Sequence, residues 1–369
     1  MLRKYSILFI SFLLIIACSD DSQGPDTGNN SDNFDRGALL RNVADNIIIP
    51  AFKDLHDELI LLDGNARGFT QNPNTLSLGQ VKTYFYRSYK AWQQVSMFDI
   101  GKAEELQFVN HFNIFPVTVA DVESNVTSGT YDFNSPNNHD AQGFPAIDYL
   151  IFGIGADENA VVAKFTTDSN ADGYKKYLTD ITKLMVDTIS DIIQDWESSY
   201  RDEFVASTTN TATSALNKLV NDFIFYYEKR LRANKIGIPA GVFSNTPLPE
   251  KVEAFYKKEN SKEFALEGLL AVQNFFTGKA FNGTTTGESF KTYLVSLDKA
   301  SLASDIENQF NLAKTQIETL DDNFFDQVNS NNTEMLKAYD ELQKAVVLLK
   351  VDMLQAFNVS VDFVDADGD

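Results

Sequence analysis

The sequence predicts an all-helical protein: two packed helical-bundle domains that follow a signal peptide and a flexible tether. Three observations carry this reading. Apolar residues recur at helical spacing throughout the body, alternation of period two is nowhere sustained, and residues 34–369 are more than one hydrophobic core usually serves. The expected organisation is a leader at 1–17, a tether at 18–33, an N-terminal bundle at 34–205 and a C-terminal bundle at 206–369.

The leader is read from its three regions. Arg3 and Lys4 supply charge, residues 7–16 are apolar, and Ala17-Cys18 ends the run, which is too short to span a bilayer comfortably. Ile15-Ile16-Ala17-Cys18 is similar to the lipobox, in which the cysteine is acylated and becomes the first mature residue. Cys18 is the sole cysteine, so no disulfide can form within the chain and its expected use is as a lipid anchor in the bilayer. Residues 19–32 contain no large apolar side chain and cannot bury enough surface to order themselves. Ser19-Asp20-Asp21 resembles the signal that sends some lipoproteins to the outer face of the outer membrane. The expected location is therefore the cell envelope, lipid-anchored to the outer membrane, with the periplasmic face and the cell surface both open.

Helices follow from Phe34 onward. Val81, Phe85, Ser88, Trp92 and Val95 share one face, as do Tyr174, Tyr177, Ile181, Leu184, Thr188 and Ile192. Leu302, Ile306, Phe310, Ala313, Ile317 and Leu320 form a third stripe, and Met335, Tyr339, Leu342, Val346, Leu349, Met353 and Phe357 a fourth. The polar run at 206–212 is the expected seam between bundles, and the Gly- and Thr-rich run at 278–287 reads as a mobile surface loop. A formal net charge of -21 argues against nucleic acid, because phosphate binding needs clustered Lys and Arg.

Several landmarks in order resemble the imelysin family of bacterial envelope proteins. They are Asn46-Ile47-Ile48-Ile49-Pro50-Ala51-Phe52, Ala91-Trp92-Gln93, Asn113-Ile114-Phe115-Pro116-Val117, Trp196 with Tyr200, and Val359-Ser360-Val361-Asp362-Phe363 with the closing Asp367-Gly368-Asp369. The family's signature is Gly-x-His-x-x-Glu, and its counterpart here is Gly143-Phe144-Pro145-Ala146-Ile147-Asp148. A His and a carboxylate three apart on a helix can grip one metal ion. Pro145 has no donor to offer, although proline suits a helix's first turn. Asp148 is left either to bind iron or another divalent metal with groups from elsewhere, or to complement the positive end of a short helix.

The resemblance implies two roles, a metallopeptidase and an iron-linked component of envelope uptake. The expected role is binding in metal acquisition, with peptidase activity second, because metal hydrolysis needs a firmly held ion and a general base. His56, His111 and His139 are scattered; His139 lies in a polar loop, where it is expected as a solvated side chain, with a swing toward Asp148 as the alternative. Asp168-Ser169-Asn170-Ala171-Asp172-Gly173 matches the first half of a calcium-binding EF-hand loop, with Asp168, Asn170 and Asp172 as donors. The twelfth position holds Thr179, so the run serves equally as a turn and N-cap. A further alternative is a docking protein for an envelope partner. Trp92, Asn113 and Asp148 are the pocket candidates.

Overall fold

The computed structural model describes residues 33–362. Asp35 caps the first helix, α1 (Arg36–Val43), by accepting the amide of Ala38. The chain then passes through a widened i→i+5 turn at Ala44–Ile48 into α2 (Ile49–Gln71), where Pro50 sits in the first turn and loses nothing by lacking an N–H. Three residues connect it to α3 (Thr75–Val95), which opens with a reciprocal cap between Asn74 and Ser77. Short helices follow: α4 (Lys102–Glu105), α5 (Phe108–Phe112), α6 (Val119–Ser128), α7 (Gly143–Asp148) and α8 (Glu158–Lys164). The long α9 (Ala171–Asp195) packs back on α2, and α10 (Arg201–Ala206) ends this half.

The second half begins with α11 (Ala215–Phe225), which runs on as a widened helix over Tyr226–Gly237. After an irregular stretch come α12 (Ser261–Thr277), α13 (Phe290–Ser296), α14 (Ala300–Glu318), α15 (Phe324–Val347) and α16 (Leu354–Phe357). Asn331 leaves helical geometry inside α15, and Gln327 donates to its freed carbonyl at 2.7 Å, so the break is satisfied locally. No strand occurs among the described residues; one antiparallel bridge joins Lys279 and Thr286.

The expected apolar stripes face inward. Val81, Phe85, Ser88, Trp92 and Val95 are buried, as are Ile181, Thr188 and Ile192 on α9 and Ile306, Phe310, Ala313 and Ile317 on α14. Two helical groups can be followed, α2, α3 and α9 before residue 206, and 215–237, α12, α14 and α15 after it. Their side chains run into one hydrophobic cluster from Leu39 to Val359, and the described residues form a single compact unit by contact. The polar run at 206–212 therefore links two parts of a shared core. Helix α3 meets α12 directly, with Tyr86 and Lys90 donating to Glu263 at 2.6 and 2.9 Å.

The 278–287 loop lies at the surface and is hydrogen-bonded to the first helical stretch. Asn42 donates to the carbonyls of Gly278 and Glu288, Phe281 N–H donates to the carbonyl of Asn46, and Gly287 N–H returns to Gly278. Backbone groups that looked solvated in sequence are paired with a helix more than two hundred residues away. No helix of the described residues is long and apolar enough to cross a membrane.

Candidate functional site

Helix α7 carries the Gly143–Asp148 counterpart of the signature, and all six of its residues are buried. Gly143 has φ +67°, and a Cβ there would lie 2.2 Å from the carbonyl oxygen of Phe112. Only glycine meets both demands, the left-handed backbone and the close approach to α5. Pro145 is the third residue of the helix, where a missing N–H breaks no intrahelical bond. Pro145 thus fits the helix's first turn and offers no side-chain donor or ligand.

Asp148 does not complement the positive end of α7. It is the last residue of that helix, 1% exposed, and the chain continues into a widened turn at Tyr149–Gly153. Its two carboxylate oxygens accept the backbone N–H groups of Tyr256 and Lys257 at 2.8 and 3.0 Å. Burial pushes this carboxyl up to about 7, against the two N–H donors and the Lys257 charge, which pull it down. Asp148 thus clasps a second segment of chain. With both oxygens engaged and Pro145 beside it, the signature does not assemble a ligand set for a metal; no cluster of three or more His, Cys, Asp or Glu suited to an ion occurs among the described residues.

The clasped segment leads to a buried polar network that no local pattern of residues announces. Glu253 is 2% exposed and pairs with the ammonium of Lys235, itself 4% exposed. Lys235 also donates to Gln93 Oε1 at 2.8 Å, and Asn113 Nδ2 donates to Glu253 Oε1 at 2.7 Å. Tyr89 Oη closes the chain by donating to Asn113 Oδ1 at 2.6 Å. The ring of Tyr89 stacks on Phe144 of α7 at 4.3 Å, which ties the network to the signature helix. Burial pulls the Lys235 ammonium below its ordinary range, opposed by Glu253, and pushes the Tyr89 phenol well up. A buried pair of this kind needs its remaining hydrogen bonds filled, and Gln93 and Asn113 fill them.

Next to this network is a cavity of about 150 Å³. Trp92 and Asn113 both line it, together with Ser96, Asn110, Tyr226, Lys229, Arg230, Asn234 and Lys235. Asp148 is not in its wall. Trp92 is 1% exposed and stacks on Phe112 at 4.9 Å, so it belongs to the core as well as to the cavity wall. The widened helix over Tyr226–Gly237 explains the row of polar groups. With roughly four to five residues per turn, positions 225–226, 229–230 and 234–235 fall on one side.

The other candidates lie apart. Asp168 accepts the amide of Asn170 and the ammonium of Lys164, both at 2.9 Å, which holds its carboxyl below the usual range. Asn170 donates to Thr127, while the Asp172 side chain faces solvent beside Lys175. Their oxygens do not converge, because α9 has already begun at Ala171. His56 pairs with Ser190 at 2.9 Å. His139 does not turn toward Asp148; it packs edge-on against His111, ring centroids 5.7 Å apart, and burial with the neighbouring imidazole lowers its basicity. Cys18 and the closing aspartates lie outside the described residues.

The family model for imelysin matches residues 48–352, most of the chain. The chain belongs to the imelysin family. Solved structures agree on the imelysin fold. An imelysin-like protein from Psychrobacter arcticum 273-4 is 15% identical, with TM-score 0.69 over 90% of this chain and 98% of that one. A "putative iron-regulated protein A precursor" from Parabacteroides distasonis ATCC 8503 is 14% identical, with TM-score 0.68 over 86% of this chain and 95% of that one. No curated protein matches. The matched span includes Gly143–Asp148, the stretch read in sequence as the counterpart of the family signature.

Proposed function

We propose that this imelysin-family protein is an envelope lipoprotein, anchored through Cys18, that binds a small ligand in the service of iron or other metal acquisition. The observation that carries the reading is the cavity lined by Trp92, Asn113 and Lys235, backed by a buried and hydrogen-bonded ion pair. Such a wall is rigid before the ligand arrives, which lowers the ordering cost of binding. Hydrolysis finds less support, since Pro145 supplies no donor and Asp148 is held by two amides. The link to iron rests on the name of the Parabacteroides neighbour. Because the signature offers no ligand set, the metal is expected to arrive already complexed.

The test is native mass spectrometry on the mature body purified without chelator, followed by titration with ferric citrate, ferrous iron and zinc. A species bound by the wild type and lost on Asn113→Leu, with helicity unchanged, supports the reading. Absence of any bound species, or turnover of casein by the purified protein, overturns it. For the anchor, Cys18→Ala is expected to move the protein from the membrane to the soluble fraction, read by fractionation and immunoblot; retention in the membrane would sink the lipoprotein proposal.

A further inference from the structure

The chain carries 52 acidic against 31 basic side chains, yet the wall of the cavity contains three cations, Lys229, Arg230 and Lys235, and no carboxylate. Two of the three are committed. Arg230 donates to the carbonyl of Ser96 at 2.9 Å and pairs with Asp99 at 3.0 Å, and Lys235 is held by Glu253 and Gln93. Lys229 has only a loose partner in Glu228 at 3.6 Å, and Glu228 also meets Lys350 at 3.1 Å and Arg232 at 3.6 Å. One ammonium in the wall is therefore left with most of its hydrogen-bonding capacity.

The neutral groups repeat the pattern. Asn234 has no hydrogen bond through its side chain among the described residues, and Asn110 has one long one, 3.4 Å to Gln107. Ser96 Oγ and Tyr226 Oη are buried without a partner of good geometry. Ser96 is near enough to Tyr226 to favour its ionised form, but burial dominates and pushes the phenol up. Buried hydroxyls are normally satisfied, so Ser96 and Tyr226, with the half-buried amides of Asn110 and Asn234 beside them, mark a wall with donor capacity left for a ligand's acceptors.

We propose that this cavity binds an oxyanion group, a carboxylate or phosphate, of a small ligand, with Lys229 as the counter-charge and Ser96, Asn110 and Asn234 as hydrogen-bond donors. The inference rests on the binding role proposed above and names the chemistry of what is bound. A bare metal cation is disfavoured by the same wall that favours an anion, so a metal would enter as a complex whose ligands carry the negative charge. The volume suits one such group, with the rest of the ligand outside.

The probes are sodium phosphate and sodium citrate, each titrated calorimetrically into the mature protein at fixed ionic strength, with ferric and zinc salts in parallel. Saturable one-site binding of citrate or phosphate is expected, and which of the two binds tells carboxylate from phosphate. Lys229→Gln and Asn234→Leu are each expected to weaken that binding about tenfold or more, while Lys314→Gln, on an exposed helix face, leaves it unchanged. Circular dichroism on each variant checks that the helices are intact. Equal weakening in Lys229→Gln and Lys314→Gln, or no saturable anion binding, overturns the proposal. If a metal salt binds the wild type and the Lys229→Gln variant alike while neither anion binds, the oxyanion site falls and the binding role stands. If nothing binds, both fall.

Discussion

At the scale of single residues, Asp148 acts as a fastening between two segments of chain. Gly143 is demanded by its backbone, and the Gly143→Ala variant is expected to lose about 2–4 kcal/mol of stability, read from the midpoint of urea unfolding, because its Cβ would strike the Phe112 carbonyl in a left-handed conformation. An unchanged midpoint would refute that account. A second residue, Asp222, gives a pH test. Burial and the nearby carboxylates of Asp99, Glu104 and Asp362 push it up to about 8, with Arg230 opposing. Its folded value lies above its unfolded one, so the folded state holds the proton longer, and the charge costs stability as pH rises from about 4 to 8. Asp222→Asn is thus expected to be near neutral at pH 4 and stabilising by on the order of 2 kcal/mol at pH 9. A difference that does not grow with pH would contradict the assignment. Sequence pointed to Asp148 as the motif position, but its partners at 256 and 257 lie beyond any local pattern.

At the scale of elements, the helices were legible and their irregularities were not. Apolar spacing placed α3, α9, α14 and α15 because burial of one face is what period 3.6 records. The same spacing is silent on the widened turns at Tyr149–Gly153 and Tyr226–Gly237, which are the stretches that bring Asp148 and Lys235 to the site. Lys235 and Glu253 read in sequence as ordinary solvated charges, and only the fold makes them neighbours. Removing one partner of so buried a pair strands the other: Lys235→Met is expected to cost about 3–5 kcal/mol in thermal or urea unfolding. The double variant Lys235→Met/Glu253→Leu is expected to regain at least half of that. Additive losses in the double variant would show that the pair is not coupled.

At the scale of the whole molecule, acidity and helicity were readable from composition and periodicity, while the continuity of the core was not. Chain length argued for two cores, and the polar run at 206–212 looked like the place to divide them. The described residues instead share one cluster, with α1 lying against α10 and α11 and α3 against α12. Cleavage by an engineered protease site within 208–213 is therefore expected to leave two fragments that co-elute on gel filtration and melt in one transition. Separate elution, or two resolved transitions, would restore two independent bundles.

The clasp at Asp148 reaches its target through main-chain N–H groups alone. Recognition of that kind is blind to the side chains it holds, since every residue but proline carries the same donor. Positions 256 and 257 are consequently free to drift in identity without loosening the joint, whereas position 148 is confined to a short acceptor of fixed reach. A fold fastened in this way can keep its architecture over long divergence while the chemistry displayed on neighbouring surfaces is rewritten.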